Sequence, residues 1–272
     1  MIQPPPRSTL HWWGTLFYVP VLYGLGWLSA RPLAALFPQW RPDQVNLAGV
    51  VVALLLLLFT LPWRLRRSWG VEHPWQQLGI VVPAAAGLRA FLRGFLKAAA
   101  LLFGVVVVLL LSGQSQWQGQ LTAGQLLNAI ALLLGAGFAE ELLFRGWLWG
   151  ELELLGGRQW AIGLQAILFA LVHPWYQLPA IEAIGLLVGL TLLGLALALQ
   201  RRADQGALWG SVGLHGGLVG GWFALQSGLI SVPATGPVWL LGPGGANPNP
   251  IGGLLGWVGL AGLILVRRRW WN

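Results

Sequence analysis

Two adjacent glutamates and an arginine stand in the middle of a long apolar stretch of this 272-residue chain. Glu140, Glu141 and Arg145 lie in a run that begins near residue 126 and continues past residue 148. Such a run can cross a bilayer, for which about 20 apolar residues suffice. A charge at the membrane centre costs about 2.5–3.5 kcal/mol on insertion scales, so polar groups there are functional candidates. Because the chain has only eight acidic residues, this pair is the first candidate for chemistry.

Helical geometry gives the two glutamates different surroundings. Glu141 and Arg145 are four residues apart, so they share a helix face and are expected to pair. Glu140 lies about 100° around the helix axis from Glu141 and has no such local partner. We predict that Arg145 holds Glu141 charged while Glu140 faces a polar cavity. The alternative is a buried Glu–Arg clamp without chemistry.

Two of the four histidines stand in apolar segments that follow the glutamates. His173 closes a segment in which Phe169 lies one helical turn earlier. His215 lies on a glycine-lined helix, where Ser211 is placed either to orient its ring or to bond to the main chain. A carboxylate and two imidazoles supply the groups that activate water, because they can accept protons, polarise a carbonyl or bind a metal. Glu140, His173 and His215 are therefore the candidate catalytic residues.

The elements that must position these residues are predicted to be membrane helices. The chain is 56% hydrophobic and 9% charged, whereas soluble domains have about 25% charged residues. The eighteen tryptophans, many of them at the ends of apolar runs, are typical of an interfacial belt. We predict an all-α, polytopic membrane helix bundle with about eight transmembrane helices, near residues 12–30, 45–63, 95–112, 123–150, 160–173, 180–199, 206–228 and 251–266.

The chain is expected to divide into three parts. Residues 1–122 hold the first three helices, with an amphipathic entry segment at 87–97 before the third. Residues 123–228 form a core of helices four to seven, and residues 229–272 form a loop and the last helix. Glycines four residues apart in helices six and seven predict close helix packing: Gly185 and Gly189, then Gly213, Gly217 and Gly221.

The positive charge of the chain indicates membrane topology rather than nucleic-acid binding. The net charge is +8, and the basic residues fall at the ends of apolar runs, where they mark topology and bind anionic lipid. In the eight-helix arrangement, thirteen of the sixteen basic residues lie on the side of both termini, which predicts cytoplasmic termini in a plasma or inner membrane. These are Arg7, Arg64, Arg66, Arg67, Arg89, Arg93, Lys97, Arg158, Arg201, Arg202, Arg267, Arg268 and Arg269.

Three motifs in this order resemble a known family. Glu140 to Arg145 matches E-E-x-x-x-R, Phe169 to His173 matches F-x-x-x-H, and His215 stands where a third motif, H-x-x-x-(Asn/Asp), would begin. The pattern resembles the CPBP family of CAAX prenyl protease type II and bacteriocin-processing (abortive-infection) membrane proteases. The resemblance covers about residues 123–228. Val219 departs from it, because the third motif usually ends in Asn or Asp at this position.

The resemblance implies an intramembrane endopeptidase that hydrolyses a peptide bond in a membrane-associated protein or peptide. It implies that Glu140 activates water, that His173 assists, and that His215 stabilises the oxyanion. Glu141 and Arg145 would then be supporting residues, and we add Phe169 and Ser211 to that group. Val219 leaves room for a second hypothesis, a catalytically weak or inactive membrane scaffold or immunity protein that binds a peptide or partner. A proton-coupled transporter is a third.

The sequence limits the metal and cysteine chemistry that the chain can perform. The chain has no cysteine, which excludes disulfides, a cysteine nucleophile and Cys-ligated metal sites. Glu140, His173 and His215 could instead ligate zinc, but there is no H-E-x-x-H helix. No G-x-S-x-G elbow is present either, which disfavours a serine hydrolase. We expect a metal-free glutamate mechanism, with membrane lipid and a membrane-associated peptide or protein as partners, and no nucleic acid.

Overall fold

The helical architecture of the chain agrees with the predicted all-α fold. The structure is a computed structural model that describes residues 10–233 and 236–267. The chain forms two compact units, residues 1–77 and 78–272. The predicted three-part division stays a prediction. Arg7, Arg268 and Arg269, which belong to the charge count above, lie outside the described residues.

The first unit is a pair of long helices followed by a single helical turn. Helix α1 spans Trp12–Leu36, α2 spans Pro42–Trp69, and α3 spans Pro74–Gln77. Gly26 and Gly49 let the two long helices approach, because a Cβ at Gly26 would collide with the carbonyl of Gly49. The hydroxyls of Tyr18 and Thr60 lie 2.7 Å apart and link the pair further along. This unit is thus a helical hairpin held by close backbone contact.

The second unit contains the remaining helices. They are α4 (Ala84–Leu111), α5 (Ala123–Gly156), α6 (Arg158–Leu171), α7 (Ala180–Ala203), α8 (Trp209–Ala224), α9 (Val238–Leu241) and α10 (Leu254–Arg267). The predicted amphipathic entry segment is part of helix α4, which runs without a break from Ala84 to Leu111. Within the described residues, two short strands pair antiparallel, β1 (Gln116–Trp117) and β2 (Ile230–Ser231). Both strands lie in segments for which the sequence predicts loops.

Some of the described helices have the length and composition of membrane-spanning helices. Four of the described helices are long and apolar enough to cross a membrane, namely α2, α4, α5 and α7. Leu254–Val266 is apolar but shorter. The chain is therefore a helical, multi-pass membrane protein. The predicted number of eight transmembrane helices stays a prediction.

Helix α8 lies against several neighbours because glycines line it. A Cβ at Gly213 would collide with the main chain of α4 at Phe91, and one at Gly217 would lie 2.7 Å from Ala98 Cβ. The predicted glycine stripe therefore packs α8 against α4. On another face, a Cβ at Gly216 would collide with the carbonyl of Leu133 in α5. Both contacts need a residue without a side chain, so glycine sets how near the candidate site helices come.

Two features fix helix α5, which carries both glutamates. At its start Thr122 accepts a hydrogen bond from the Gln125 main-chain N–H, and the Gln125 side chain reciprocates as a capping box. Near its middle, Arg201 of α7 donates hydrogen bonds to the carbonyl oxygen of Arg145 and, at 3.2 Å, to that of Leu78. The main chain beside the glutamates is therefore tied directly to α7.

Candidate active site

The two glutamates lie on a short α-helical stretch between two wider turns. Within α5, Leu132–Ala136 and Leu142–Leu148 are π-helical, and Gly137–Glu141 between them is α-helical. Such π turns recur at functional sites because they rotate side chains away from the ordinary helical register. A Cβ at Gly137 would lie 2.8 Å from Gly216 Cα, so α5 and α8 pack with almost no side chain between them. This contact brings His215 beside the glutamates.

Glu141 is the centre of a buried polar cluster. Its Oε1 atom accepts a hydrogen bond of 2.8 Å from Arg145 Nη1, as the four-residue spacing predicts. The same oxygen lies 2.8 Å from Nδ1 of His215. Glu141 and Arg145 are fully buried, and the His215 side chain is 4% exposed. The carboxylate therefore compensates the arginine charge and fixes the direction of the imidazole.

His173 is held by the main chain of its own helix end. Its Nδ1 atom lies 2.7 Å from the carbonyl oxygen of Phe169, one turn earlier. Because a carbonyl oxygen only accepts hydrogen bonds, Nδ1 of His173 carries the proton. The same reasoning gives His215 a proton on Nδ1, since that atom faces the carboxylate of Glu141. In each ring the Nε2 atom therefore points away from the group that binds Nδ1.

Both Nε2 atoms face Glu140. Its Oε2 atom lies 3.8 Å from Nε2 of His215 and 3.9 Å from Nε2 of His173. These distances exceed direct hydrogen bonds, and a gap of this size fits a bridging water or a substrate oxygen. Oε2 of Glu140 is buried and has no hydrogen-bond partner within the described part of the protein, although the side chain as a whole is 37% exposed. The three predicted catalytic side chains are thus brought together.

Phe169 packs at the centre of these polar groups. Its ring centroid lies 4.8 Å from that of His173 and 5.6 Å from that of His215, in edge-to-face arrangements. The guanidinium carbon of Arg145 lies 4.2 Å from the same ring centroid, within the range of a cation–π contact. Phe169 is fully buried. The ring of Phe169 therefore packs against both imidazoles and against one face of the Arg145 guanidinium.

Ser211 does not orient the ring of His215, which corrects one of the two sequence interpretations. Its hydroxyl donates a 3.0 Å hydrogen bond to the carbonyl oxygen of Leu197 in helix α7. The ring nitrogen that Ser211 was expected to hold is bound by Glu141 instead. The buried hydroxyl finds a carbonyl on the adjacent helix because α7 and α8 pack closely. Ser211 thus links two helices and lies outside the polar cluster.

Glu140, His173 and His215 line one cavity in the second unit. It has a volume of about 460 Å³, and most of its wall is apolar. The wall also contains three neutral amide side chains that the sequence analysis missed, Gln226, Asn247 and Asn249. Gln226 Nε2 and Trp222 Nε1 donate to the carbonyl oxygen of Pro248 at 2.6 Å and 2.8 Å. These bonds tie the loop at residue 248 to the end of α8 and to the π-helical segment Leu225–Leu229 that follows it. Gln226 could have been found from the sequence, because it is an uncharged polar residue inside an apolar run.

Val219 lies in the wall of the same cavity. It stands one helical turn after His215 on α8, the position at which the third motif of the resembled family usually places Asn or Asp. A valine side chain neither donates nor accepts hydrogen bonds. The cavity wall at this point therefore offers no amide or carboxylate.

The residues around this cavity match a family model. Residues 122–220, which include every predicted site residue, match the model described as Type II CAAX prenyl endopeptidase Rce1-like. This part of the chain is similar to Rce1-like endopeptidases. The match supports the resemblance drawn from the motifs.

The comparisons extend to the rest of the chain only in part. Residues 3–73 match a domain of unknown function (DUF8676), and this segment includes the helical hairpin of the first unit. No match was found among curated proteins or among solved structures. The comparison with known endopeptidases therefore rests on residues 122–220 and on their site geometry.

The described side chains at the candidate site do not form a metal-binding cluster. In residues 10–233 and 236–267, no group of three His, Cys, Asp or Glu side chains has the arrangement that holds a metal ion. Oε1 of Glu141 is bound by Arg145 and His215, whereas its buried Oε2 has no hydrogen-bond partner within the described part of the chain. The metal-free mechanism stays a prediction.

Proposed function

We propose that this protein is an intramembrane endopeptidase that hydrolyses a peptide bond in a membrane-associated protein or peptide, with water activated by Glu140. One observation carries the proposal: Oε2 of Glu140 stands 3.8 Å and 3.9 Å from two imidazole Nε2 atoms at an apolar cavity. The similarity of residues 122–220 to Rce1-like endopeptidases supports the same class of reaction. No metal is required in this scheme.

The first step is addition of water to the scissile carbonyl. A water among the three side chains gives a proton to the Glu140 carboxylate as its oxygen forms a bond with the carbonyl carbon. His173 orients that water through Nε2, since its Nδ1 proton is committed to the Phe169 carbonyl. The carbonyl π electrons move to the oxygen, which becomes an oxyanion.

The second step is collapse of the tetrahedral intermediate. His215 acts as an imidazolium that has taken its Nε2 proton from water before the reaction. It donates a hydrogen bond from Nε2 to the oxyanion and keeps that proton, and the Glu141 carboxylate on its Nδ1 side balances the imidazolium charge. The C–N bond then breaks, and Glu140 returns the proton to the leaving amine. The products are a new carboxyl end and a new amino end, and Glu140 is regenerated.

The apolar cavity suits a substrate that arrives from the lipid phase. Most of the wall is hydrophobic, and the chain is a multi-pass membrane protein. We propose a plasma or inner membrane location with both termini in the cytoplasm, on the basis of the basic-residue distribution. A reagent that cannot cross the membrane, applied to single-cysteine variants of this cysteine-free chain, tests the orientation.

The deciding experiment is peptide cleavage by purified protein. The native protein is compared with Glu140→Gln on a library of apolar peptides, with fragments detected by mass spectrometry. Glu72→Gln is the matched control, because Glu72 is exposed and lies in the first unit. The proposal expects fragments from the native and control proteins only. Equal cleavage by native protein and Glu140→Gln would remove Glu140 from the mechanism.

A second candidate function is favoured by Val219 alone. If the missing amide or carboxylate stops turnover, the cavity would bind a peptide or a partner without cutting it, as in a membrane scaffold or immunity protein. This candidate predicts that Glu140→Gln retains the biological effect of the native protein. Loss of that effect in Glu140→Gln, with normal protein levels, would exclude it.

A further inference from the structure

The main-chain carbonyl of Arg145, beside the glutamates, loses the partner that an α-helix would give it. In an α-helix the N–H of Trp149 would bind this oxygen, four residues earlier. At the end of the π-helical segment Leu142–Leu148 the same N–H binds the carbonyl oxygen of Phe144, five residues earlier. Arg145 is fully buried, and a buried carbonyl needs a hydrogen-bond donor. The Arg145 carbonyl thus stands where the register of α5 changes.

Arg201 of α7 supplies a donor at this place. Its guanidinium donates to carbonyl oxygens of three separate segments, to Arg145 through Nη1, to Leu78 through Nη2 at 3.2 Å, and to Gly206 through Nε at 3.1 Å. The guanidinium carbon also lies 5.4 Å from the ring centroid of Trp149, the residue that follows the π segment. A planar guanidinium presents these donors in one fixed geometry. Arg201 therefore holds the π segment from outside helix α5.

The same stretch of α5 carries the side chain that connects to the catalytic candidates. Arg145 Nη1 donates to Oε1 of Glu141 at 2.8 Å, and that oxygen lies 2.8 Å from Nδ1 of His215. We propose that Arg201 is a positioning residue for the reaction, because its bond to the Arg145 carbonyl holds the π turn in the register that aligns Glu141 with His215. Arg201 is not part of the cavity wall, so it acts through these residues and not on the substrate. This inference rests on the proposed function and adds a residue to it.

The kinetic test uses Arg201→Met, which keeps much of the apolar stem and removes the donors. kcat is measured per folded molecule on a peptide that the native protein cleaves, with the folded fraction taken from size-exclusion chromatography and thermal unfolding. We expect kcat to fall at least about tenfold while KM stays within about threefold, because a displacement of about 1 Å at a catalytic group costs up to about 10²-fold. Arg202→Met, one residue further along α7, is the matched control and should keep the native kcat.

The variant Arg201→Lys separates positioning from loss of folding. Its ammonium still donates to a carbonyl but lacks the planar fork, so kcat should lie below that of the native protein and at or above that of Arg201→Met. If Arg201→Met does not fold, Arg201→Lys is compared with the native protein directly and should show the lower kcat at unchanged KM. A native kcat per folded molecule in either Arg201 variant, or an equal loss in Arg202→Met, would overturn the inference.

Hydrogen exchange gives a readout that needs no substrate. Main-chain amides of residues 142–150 should exchange faster in Arg201→Met than in the native protein, whereas those of α10 should not change. Where Arg201→Met does not fold, Arg201→Lys takes its place. Glu140→Gln should keep native exchange in this segment. Unchanged exchange in the Arg201 variant would overturn the inference and leave the endopeptidase function standing. Absence of Glu140-dependent cleavage of every peptide, with faster exchange in the Arg201 variant, would instead refute the proposed function.

Discussion

Nδ1 of His215 lies 2.8 Å from Oε1 of Glu141, the same oxygen that accepts a hydrogen bond from Arg145. One carboxylate oxygen thus joins a catalytic candidate to a buried cation. The arrangement makes Glu141 a positioning residue for His215 in the proposed mechanism. Glu140, its neighbour in sequence, is left to face the cavity.

Replacing Glu141 should separate its structural role from its role behind His215. Glu141→Gln leaves the fully buried Arg145 charge uncompensated, so we expect the free energy of unfolding to fall by about 3–5 kcal/mol. The double variant Glu141→Gln/Arg145→Met removes that charge and should recover most of the stability. Cleavage should stay low in both variants, because His215 lacks the carboxylate. Thermal unfolding and peptide cleavage measure the two effects, and native activity in the double variant would reduce Glu141 to a structural clamp.

Replacing His173 by asparagine should keep the hydrogen bond to the Phe169 carbonyl. In His173→Asn the side-chain amide can still donate to the Phe169 carbonyl, but the atom that faces Glu140 is removed. We expect a folded protein whose kcat is lower by about 10²-fold or more, since a positioned acid–base group contributes that much. His73→Asn is the matched control, because His73 is exposed in the first unit. Full activity in His173→Asn would show that its Nε2 atom is not needed.

The sequence predicted the parts of the site that lie within one helix. The Glu141–Arg145 pair followed from a four-residue spacing. The side chain of Glu140 faces a cavity as predicted, but the wall of that cavity is mostly apolar and not polar. The contact of His215 with Glu141 joins residues 74 positions apart, so no helical periodicity could reveal it. For the same reason the sequence could not decide between the two interpretations of Ser211, whose hydroxyl binds a main-chain carbonyl on an adjacent helix.

Parts of the fold were also hidden from the sequence pattern. The apolar runs located the helices, because membrane burial needs no alternation of polar residues. The π turns around Glu140 change the register of α5 without any breaking residue, so they left no signal. The sequence predicts only an uncharged loop around Asn247 and Asn249. The place of this loop in the cavity wall depends on the hydrogen bonds that Trp222 and Gln226 donate to it.

Val219 offers a gain-of-function test. Val219→Asn places an amide in the cavity wall one turn from His215, where it can donate to an oxyanion. Since one such donor is worth about 10²–10³ in kcat in other hydrolases, we expect kcat to rise, by as much as about 10²-fold where the amide reaches the oxyanion. Val219→Leu, which keeps the wall apolar, is the control and should not accelerate cleavage. An unchanged or lower kcat in Val219→Asn would mean that the amide does not reach the oxyanion.

Asp204 lies in the loop after α7. Its contribution to the stability of the fold should depend on pH with a sign opposite to that of an ordinary salt bridge. Its side chain is 1% exposed and binds Arg93 at 2.6 Å and Gln200 at 2.6 Å. Burial raises the pKa of the Asp204 carboxyl, although Arg93 and Gln200 act to lower it. The folded state therefore binds the proton more tightly than the unfolded state, so the contribution of Asp204 to stability falls as pH rises through the interval between the two pKa values.

The comparison with Asp204→Asn isolates this effect. The difference in Tm, native minus variant, should grow as pH is lowered from about 7 to about 4, because the native carboxyl becomes neutral and the variant cannot titrate. Thermal unfolding in detergent at a series of pH values measures it. If the native protein instead loses stability relative to the variant on acidification, the attraction of Arg93 outweighs burial and the stated direction is wrong.

The proposal that Glu140 activates water is tested most directly by the single-turnover rate on bound substrate. A peptide that the native protein cleaves is held at saturating concentration with native protein, Glu140→Gln and the control Glu72→Gln. We predict that the bond-breaking rate of Glu140→Gln falls by at least about 10²–10⁴-fold, the contribution of a general base, while Kd stays within a few-fold. A native rate in Glu140→Gln with substrate bound would contradict the mechanism.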